Sequence, residues 1–193
     1  MEILNNTLKT IDEIEKYNLP ILGVIPSIGK EEKENISISF FFFFFKVKKL
    51  SNSDVKRKLM MKESPKSPIS EAYRGLRTSM LFSTEKQIKS IVVSSAGPGE
   101  GKTTTVANLA ITYANLGKKT LLIDTDLRRP VIDKVFNLQR EPGVTNFITS
   151  QTDDYRSLIK KTEIENLSII TSGVIPPNPS ETVSYTHLRA HET

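Results

Sequence analysis

Between Ser90 and Pro130 an apolar run, a glycine-rich loop, a helical pattern and a second apolar run follow one another without interruption. That order permits few folds, because a strand, helix and parallel strand joined this tightly must close as a helix packed on a sheet. The first segment is SIVVSSAGPGEGKTTTVANLA; the second, KKTLLIDTDLRRP, brings Asp124 and Asp126 to the carboxyl end of its strand. The pattern predicts a strand over 90–95, a loop over 96–102, a helix over 103–116 and a strand over 120–124. Gly117 falls where a helix C-cap belongs. Ser67-Pro68 offers an N-cap and a first helical residue for a preceding helix through SEAYRGLRTSMLFS. Two short helical stretches and a strand at 167–171 (LSIIT) follow Pro130. The expected class is α/β, with a parallel sheet flanked by helices.

The loop AGPGEGKT departs from the strict pattern G-x-x-x-x-G-K-[ST] only at Ala96, a small residue that still permits a tight turn. Gly97, Gly99 and Gly101 can take backbone angles closed to other residues, so successive N–H groups can face an anion. The following helix adds the positive end of its dipole. The nucleotide-binding set is therefore Gly97, Pro98, Gly99, Glu100, Gly101, Lys102, Thr103 and Thr104. Lys102 is placed to reach β- and γ-phosphates, Thr103 to ligate Mg2+, and Thr104 to meet the α-phosphate side. The bland alternative is a glycine-rich turn in an unrelated domain, against which the flanking strand and helix both argue.

Asp124 and Asp126 share one side of the chain if extended geometry persists through Thr125. Two carboxylates so placed can hold Mg2+ through its waters, and one can accept a proton. The catalytic candidates are Lys102, Asp124 and Asp126; the metal candidates are Thr103, Asp124 and Asp126. Arg128 and Arg129 can screen phosphate charge. An acid–base turn ending a strand is the competing reading.

The rest of the chain divides by composition. Residues 1–28 read as a small unit, with capping-box spacing at Thr10 and Glu13 and a short strand in ILGVI. Residues 29–66 read as a basic linker. Lys46–Lys66 carries eight Lys or Arg against two acids, a local +6 that accounts for the +5 net charge of the chain. Such a run suits solvent or, at ~1 kcal/mol per basic residue, anionic headgroups. It lacks the interleaved aromatics of a nucleic-acid element, so no nucleic-acid partner is expected. The Phe40–Phe45 run is far shorter than a bilayer span. It reads either as a buried strand or as a miscounted base repeat in the underlying gene sequence. The eleven residues VSYTHLRAHET at 183–193 translate a sequencing-library adapter in frame, so native sequence is expected to end at Glu181 with Thr182 suspect. That assigns both histidines, His187 and His191, to the adapter rather than to a metal pair. With no cysteine, disulfides and thiolate sites are excluded.

The pairing of AGPGEGKT with LLIDTDLR resembles the Walker A and Walker A′ motifs of the bacterial tyrosine kinases (BY-kinases) of capsule and exopolysaccharide export. SEAYRGLRTSMLFS is similar to their E-x-x-R-x-x-R oligomerisation helix, at Glu71, Arg74 and Arg77, and GVTNFIT and KTEIENLSIITSGVIPPNPSE also match. TLKTIDEIEKYNLPILGVIPSIG resembles the cytoplasmic end of a polysaccharide co-polymerase. The resemblance implies a P-loop NTPase-type kinase domain over 67–182, lacking its Walker B strand and tyrosine-rich tail. It further implies ATP and Mg2+ as cofactors and γ-phosphate transfer to tyrosine hydroxyls on a neighbouring subunit. A homo-oligomeric ring, a co-polymerase partner and the cytoplasmic face of the plasma membrane complete it, with the fragment itself expected inactive. Two rivals stand beside this reading. Partition and septum-site ATPases carry K-G-G-x-G-K-[ST], whose extra lysine is Gly97 here; a non-catalytic chain-length regulator would need only the assembly helix.

Overall fold

A computed structural model describes residues 14, 16–26 and 59–182. The Phe40–Phe45 run, most of the basic linker and the 183–193 tail lie outside the described residues. The described chain forms two compact units, one holding residues 14, 16–26 and 60–102, the other 59 and 103–182.

In the first unit, α1 (Met60–Glu63) precedes α2 (Pro68–Phe82). Ser67 is the N-cap of α2 with Pro68 behind it, as expected. Its hydroxyl accepts the Ser70 N–H at 3.2 Å; a cap of this kind is worth about 1 kcal/mol. The buried Ser70 hydroxyl in turn donates to the Ser64 carbonyl at 2.7 Å, tying the helix start to the turn before it. Tyr73 fills the core side of α2.

Neither strand expected in this unit forms. Residues 90–95 join no ladder, and Val92 is 92% exposed; residues 21–25 join none either, with Gly23 lying against Leu76 of α2. An apolar run has the propensity for a strand, but pairing depends on a partner edge that local sequence does not encode.

The second unit is built on α3 (Lys102–Ala114), whose body is buried on nearly every side, with Ala107, Ile111 and Ala114 at most 2% exposed. Its two fully buried polar side chains are satisfied by the helix's own carbonyls, Asn108 at Thr104 O and Thr112 at Leu109 O, as burial requires. The helix ends in a Schellman motif: Gly117, at φ +73°, donates its N–H to Ala114 O, and Lys118 N–H reaches Tyr113 O. The chain returns through β1 (Thr120–Ile123), crosses via α4 (Ile132–Val135), α5 (Val144–Ile148) and a 3₁₀ turn at Tyr155–Leu158, and forms β2 (Lys160–Lys161) and β3 (Leu167–Ile170).

The sheet order is β1-β3-β2. β1 runs parallel to β3, Thr120 opposite Leu167 and Ile123 opposite Ile170. As the middle strand, β3 is largely buried, whereas β1 buries Leu122 and exposes Leu121 and Ile123. The α/β expectation holds with one amendment: β2 is antiparallel to β3. Two lysines carry no alternation to betray a strand, and a short charged edge is one way a sheet avoids pairing with other chains. Beyond β3 the backbone packs closely. A Cβ on Gly143 would lie 2.2 Å from Gly173 N, which explains glycine there.

Candidate functional site

The phosphate loop obtains its curvature from two of its three glycines. Gly99 and Gly101 sit at φ +83° and +87°, in the left-handed region, whereas Gly97 does not. Gly97 serves by close approach. Its N–H donates to Glu100 Oε2 at 3.0 Å, and a Cβ would lie 3.1 Å from Glu100 Oε1. The loop therefore already holds an anion, its own carboxylate, at a backbone donor. Ser95 Oγ donates to Gly97 O at 2.9 Å and closes the entry of the loop. Lys102 is the first residue of α3, and Thr103 and Thr104 occupy its first turn, all three half-buried. Asn108, one turn on and fully buried, donates to Thr104 O at 2.9 Å.

The acidic pair lies in the second unit. β1 stops at Ile123, although Asp124 N–H still donates to Ile170 O at 2.9 Å. The extended geometry does not persist through Thr125. Asp124 Oδ1 accepts the Asp126 N–H at 3.1 Å, turning the chain at once, and its Oδ2 accepts the Ile132 N–H at 3.3 Å. Local hydrogen bonding by an aspartate displaces the period-two continuation expected for the pair. Asp124 is 6% exposed and Asp126 half-buried. Burial pushes the Asp124 carboxyl above its ordinary value. The Asp126 and Ile132 N–H groups pull it back, while the charges of Asp126 and Asp133 add to the rise. Asp126 Oδ1 accepts both the Arg128 and Arg129 N–H groups, at 3.2 and 2.9 Å, which anchors the backbone of both arginines.

Three charged residues carry no signal in the sequence. Asp133 is buried, its Oδ2 bound to Arg140 at 3.0 Å and its Oδ1 without a hydrogen-bond partner. Lys160 Nζ donates to the Pro142 carbonyl and Thr171 Oγ1; burial lowers its pKa and the Asp133 charge opposes that shift. Turns bring these groups together from positions up to 31 residues apart, as in the bond from Thr171 Oγ1 to Arg140 O at 2.6 Å. No local pattern marks them.

The donor set fits a nucleotide with magnesium better than a dedicated metal cage. Among the described residues no three His, Cys, Asp or Glu side chains gather as metal ligands. Magnesium characteristically takes one or two carboxylates and completes its shell with phosphate oxygens and water. On α2, Arg74 pairs with Glu71 and also donates to Pro65 O, so these two expected assembly residues are engaged within one chain.

A family model described as an AAA domain matches residues 88–175. CapB of Staphylococcus aureus, a putative tyrosine-protein kinase, is 43% identical over 127 residues, covering 65% of this chain and 55% of its own length. The tyrosine-protein kinase YwqD of Bacillus subtilis is 42% identical over 139 residues, 72% of this chain and 58% of its own length. The solved structure of the chimerical protein CapA2B2 superposes with a TM-score of 0.70 at 35% identity, covering 95% of this chain and 69% of that one. The chain thus spans a little over half the length of these two curated relatives.

Proposed function

The chain belongs to the bacterial tyrosine-kinase family, and from that premise we propose that it carries the nucleotide-binding part of an enzyme that transfers the γ-phosphate of ATP to protein tyrosines. The relatives' kinase names and the match of AGPGEGKT and LLIDTDLR to the family motifs support this reading. The observation that carries it is the Gly97 amide closed on a carboxylate, in a loop turned by Gly99 and Gly101 at the head of a thirteen-residue helix.

In this reading the loop amides and Lys102 hold the β- and γ-phosphates in place of the Glu100 carboxylate. Thr103, Asp124 and Asp126 would hold magnesium, which would neutralise phosphate charge. The tyrosine oxygen attacks the γ-phosphorus, the bond from that phosphorus to the β–γ bridging oxygen breaks, and ADP leaves. The phenolic proton passes to Asp124, or to Asp126 with the roles of the two carboxylates reversed. Catalysis rests on positioning and electrostatics, as in other phosphoryl transfers.

The enzyme would act at the cytoplasmic face of the plasma membrane, beside a polysaccharide co-polymerase, and regulate capsule or exopolysaccharide export. Glu71, Arg74 and Arg77 would face a neighbouring subunit of a ring. Among the described residues no helix is long and apolar enough to cross a membrane, so that location depends on a partner or on other segments.

The test is Lys102→Met in the full-length kinase. Phosphotyrosine formation should disappear while the melting temperature stays unchanged, because Lys102 opens α3 and lies outside its buried face. Undiminished phosphotyrosine would remove the loop from the mechanism.

A further inference from the structure

The second unit contains a cleft of about 500 Å³ between the last residue of LLIDTDLR and the IPPNPSE segment, to which no role has been given above. Arg128 lines one part of it, and the segment after β3 supplies Pro176, Pro177, Pro179, Asn178 and Glu181. We propose that this cleft is the subsite for the acceptor tyrosine side chain. The proposal rests on the kinase reading above and names where its second substrate sits.

The chemistry of the walls selects the occupant. Three prolines in four positions offer ring surfaces and no backbone N–H donors, with φ already restricted. An aromatic ring can pack there at little entropic cost. A polyphosphate would find no cradle of amides in such a wall and would meet the Glu181 carboxylate. That carboxylate accepts from Asn178 Nδ2 at 3.1 Å. A neutral phenol escapes this repulsion. The cationic group in the lining is Arg128, whose guanidinium can donate to the phenolic oxygen. The bond gains strength as that oxygen acquires the phosphoryl group, since charge-assisted hydrogen bonds to phosphate are stronger than neutral ones.

Position agrees with chemistry. Arg128 follows Asp124 by four residues, and its backbone is fixed by Asp126, so the proposed phenol contact and the proposed proton acceptor share one turn. Its anchoring bond uses the backbone N–H. A side-chain substitution therefore leaves the turn intact.

The experiment compares wild-type full-length kinase with Arg128→Gln and Pro177→Asp, using a synthetic Glu/Tyr copolymer as acceptor and O-phosphotyrosine as a binding probe. Arg128→Gln should raise the acceptor KM about tenfold, the loss of one charge-assisted contact; Pro177→Asp should raise it similarly by placing a charge against the ring, with its ATP KM within about twofold of wild type. O-phosphotyrosine should shift the amide resonances of 174–181 in the wild type and not in Arg128→Gln. Unshifted wild-type resonances, or an unchanged acceptor KM in both variants, would overturn the subsite. A rise in the ATP KM with the acceptor KM constant would assign the cleft to the nucleotide and overturn it equally. Phosphotyrosine formation by the wild type reports on the kinase reading separately, so failure of that reading is recognisable as such.

Discussion

The Gly97 N–H donates to the Glu100 carboxylate across 3.0 Å, so two residues of the phosphate loop satisfy each other. A phosphate oxygen arriving at Gly97 must displace that carboxylate. Glu100→Ala frees the amide and removes a negative charge from the path of an anion. It should tighten ATP binding about threefold, the lower end expected for one exchanged hydrogen bond. Calorimetric titration of ATP in excess magnesium measures it. Weaker binding by the variant would show that Glu100 supports the loop rather than competes for it.

Asp124 links stability to pH. Its folded pKa lies above the ordinary value near 3.8, with burial the leading cause. A carboxyl shifted in that direction favours the fold while protonated, and the contribution declines as pH rises through the folded pKa. Asp124→Asn cannot titrate. Wild-type stability should therefore fall relative to the variant as pH rises from below 3.8 toward neutrality, as read from urea unfolding across that window. A difference that stays flat with pH would remove the burial argument. The same variant should lose about 10²–10⁴-fold in phosphotransfer if Asp124 takes the proton.

Features carried by short-range chemistry are legible in the amino-acid sequence. Ser67 with Pro68, and Gly117, mark helix ends through hydrogen bonds spanning a few residues, and both are where the sequence places them. Pairing is less legible. The apolar run at 90–95 joins no ladder, while Lys160–Lys161, with no strand signature, forms one with β3. The Asp124–Asp126 pair is visible as a pair, but its turn depends on which backbone N–H each carboxylate captures. Asp133, Arg140 and Lys160 leave no trace in local patterns because their neighbourhood is assembled by the crossover from β1 to β3.

The ion pair between Glu71 and Arg74 on α2 bears on assembly. With side chains 74% and 32% exposed, a pair of this kind contributes at most about 1 kcal/mol to the fold. Arg74→Ala with Arg77→Ala should accordingly leave a folded chain. If this helix forms the subunit contact, light scattering of the full-length kinase should show monomers in place of a ring. A ring of unchanged mass with both arginines gone would move the interface elsewhere.

The Asp133–Arg140 pair should behave in the opposite way, because the Asp133 side chain is only 9% exposed and Arg140 27%. Arg140→Met takes away the partner of Oδ2 in a carboxylate whose Oδ1 already has none. Stranding a buried charge costs more than the pair itself contributes, since desolvation has then been incurred with no Coulombic return. Arg140→Met should destabilise the fold by about 3 kcal/mol, and adding Asp133→Leu should recover most of that loss by removing the stranded charge. Urea unfolding of the wild type, both single variants and the double variant completes the cycle. Strictly additive losses would show that the two side chains act independently and that the fold does not depend on their pairing.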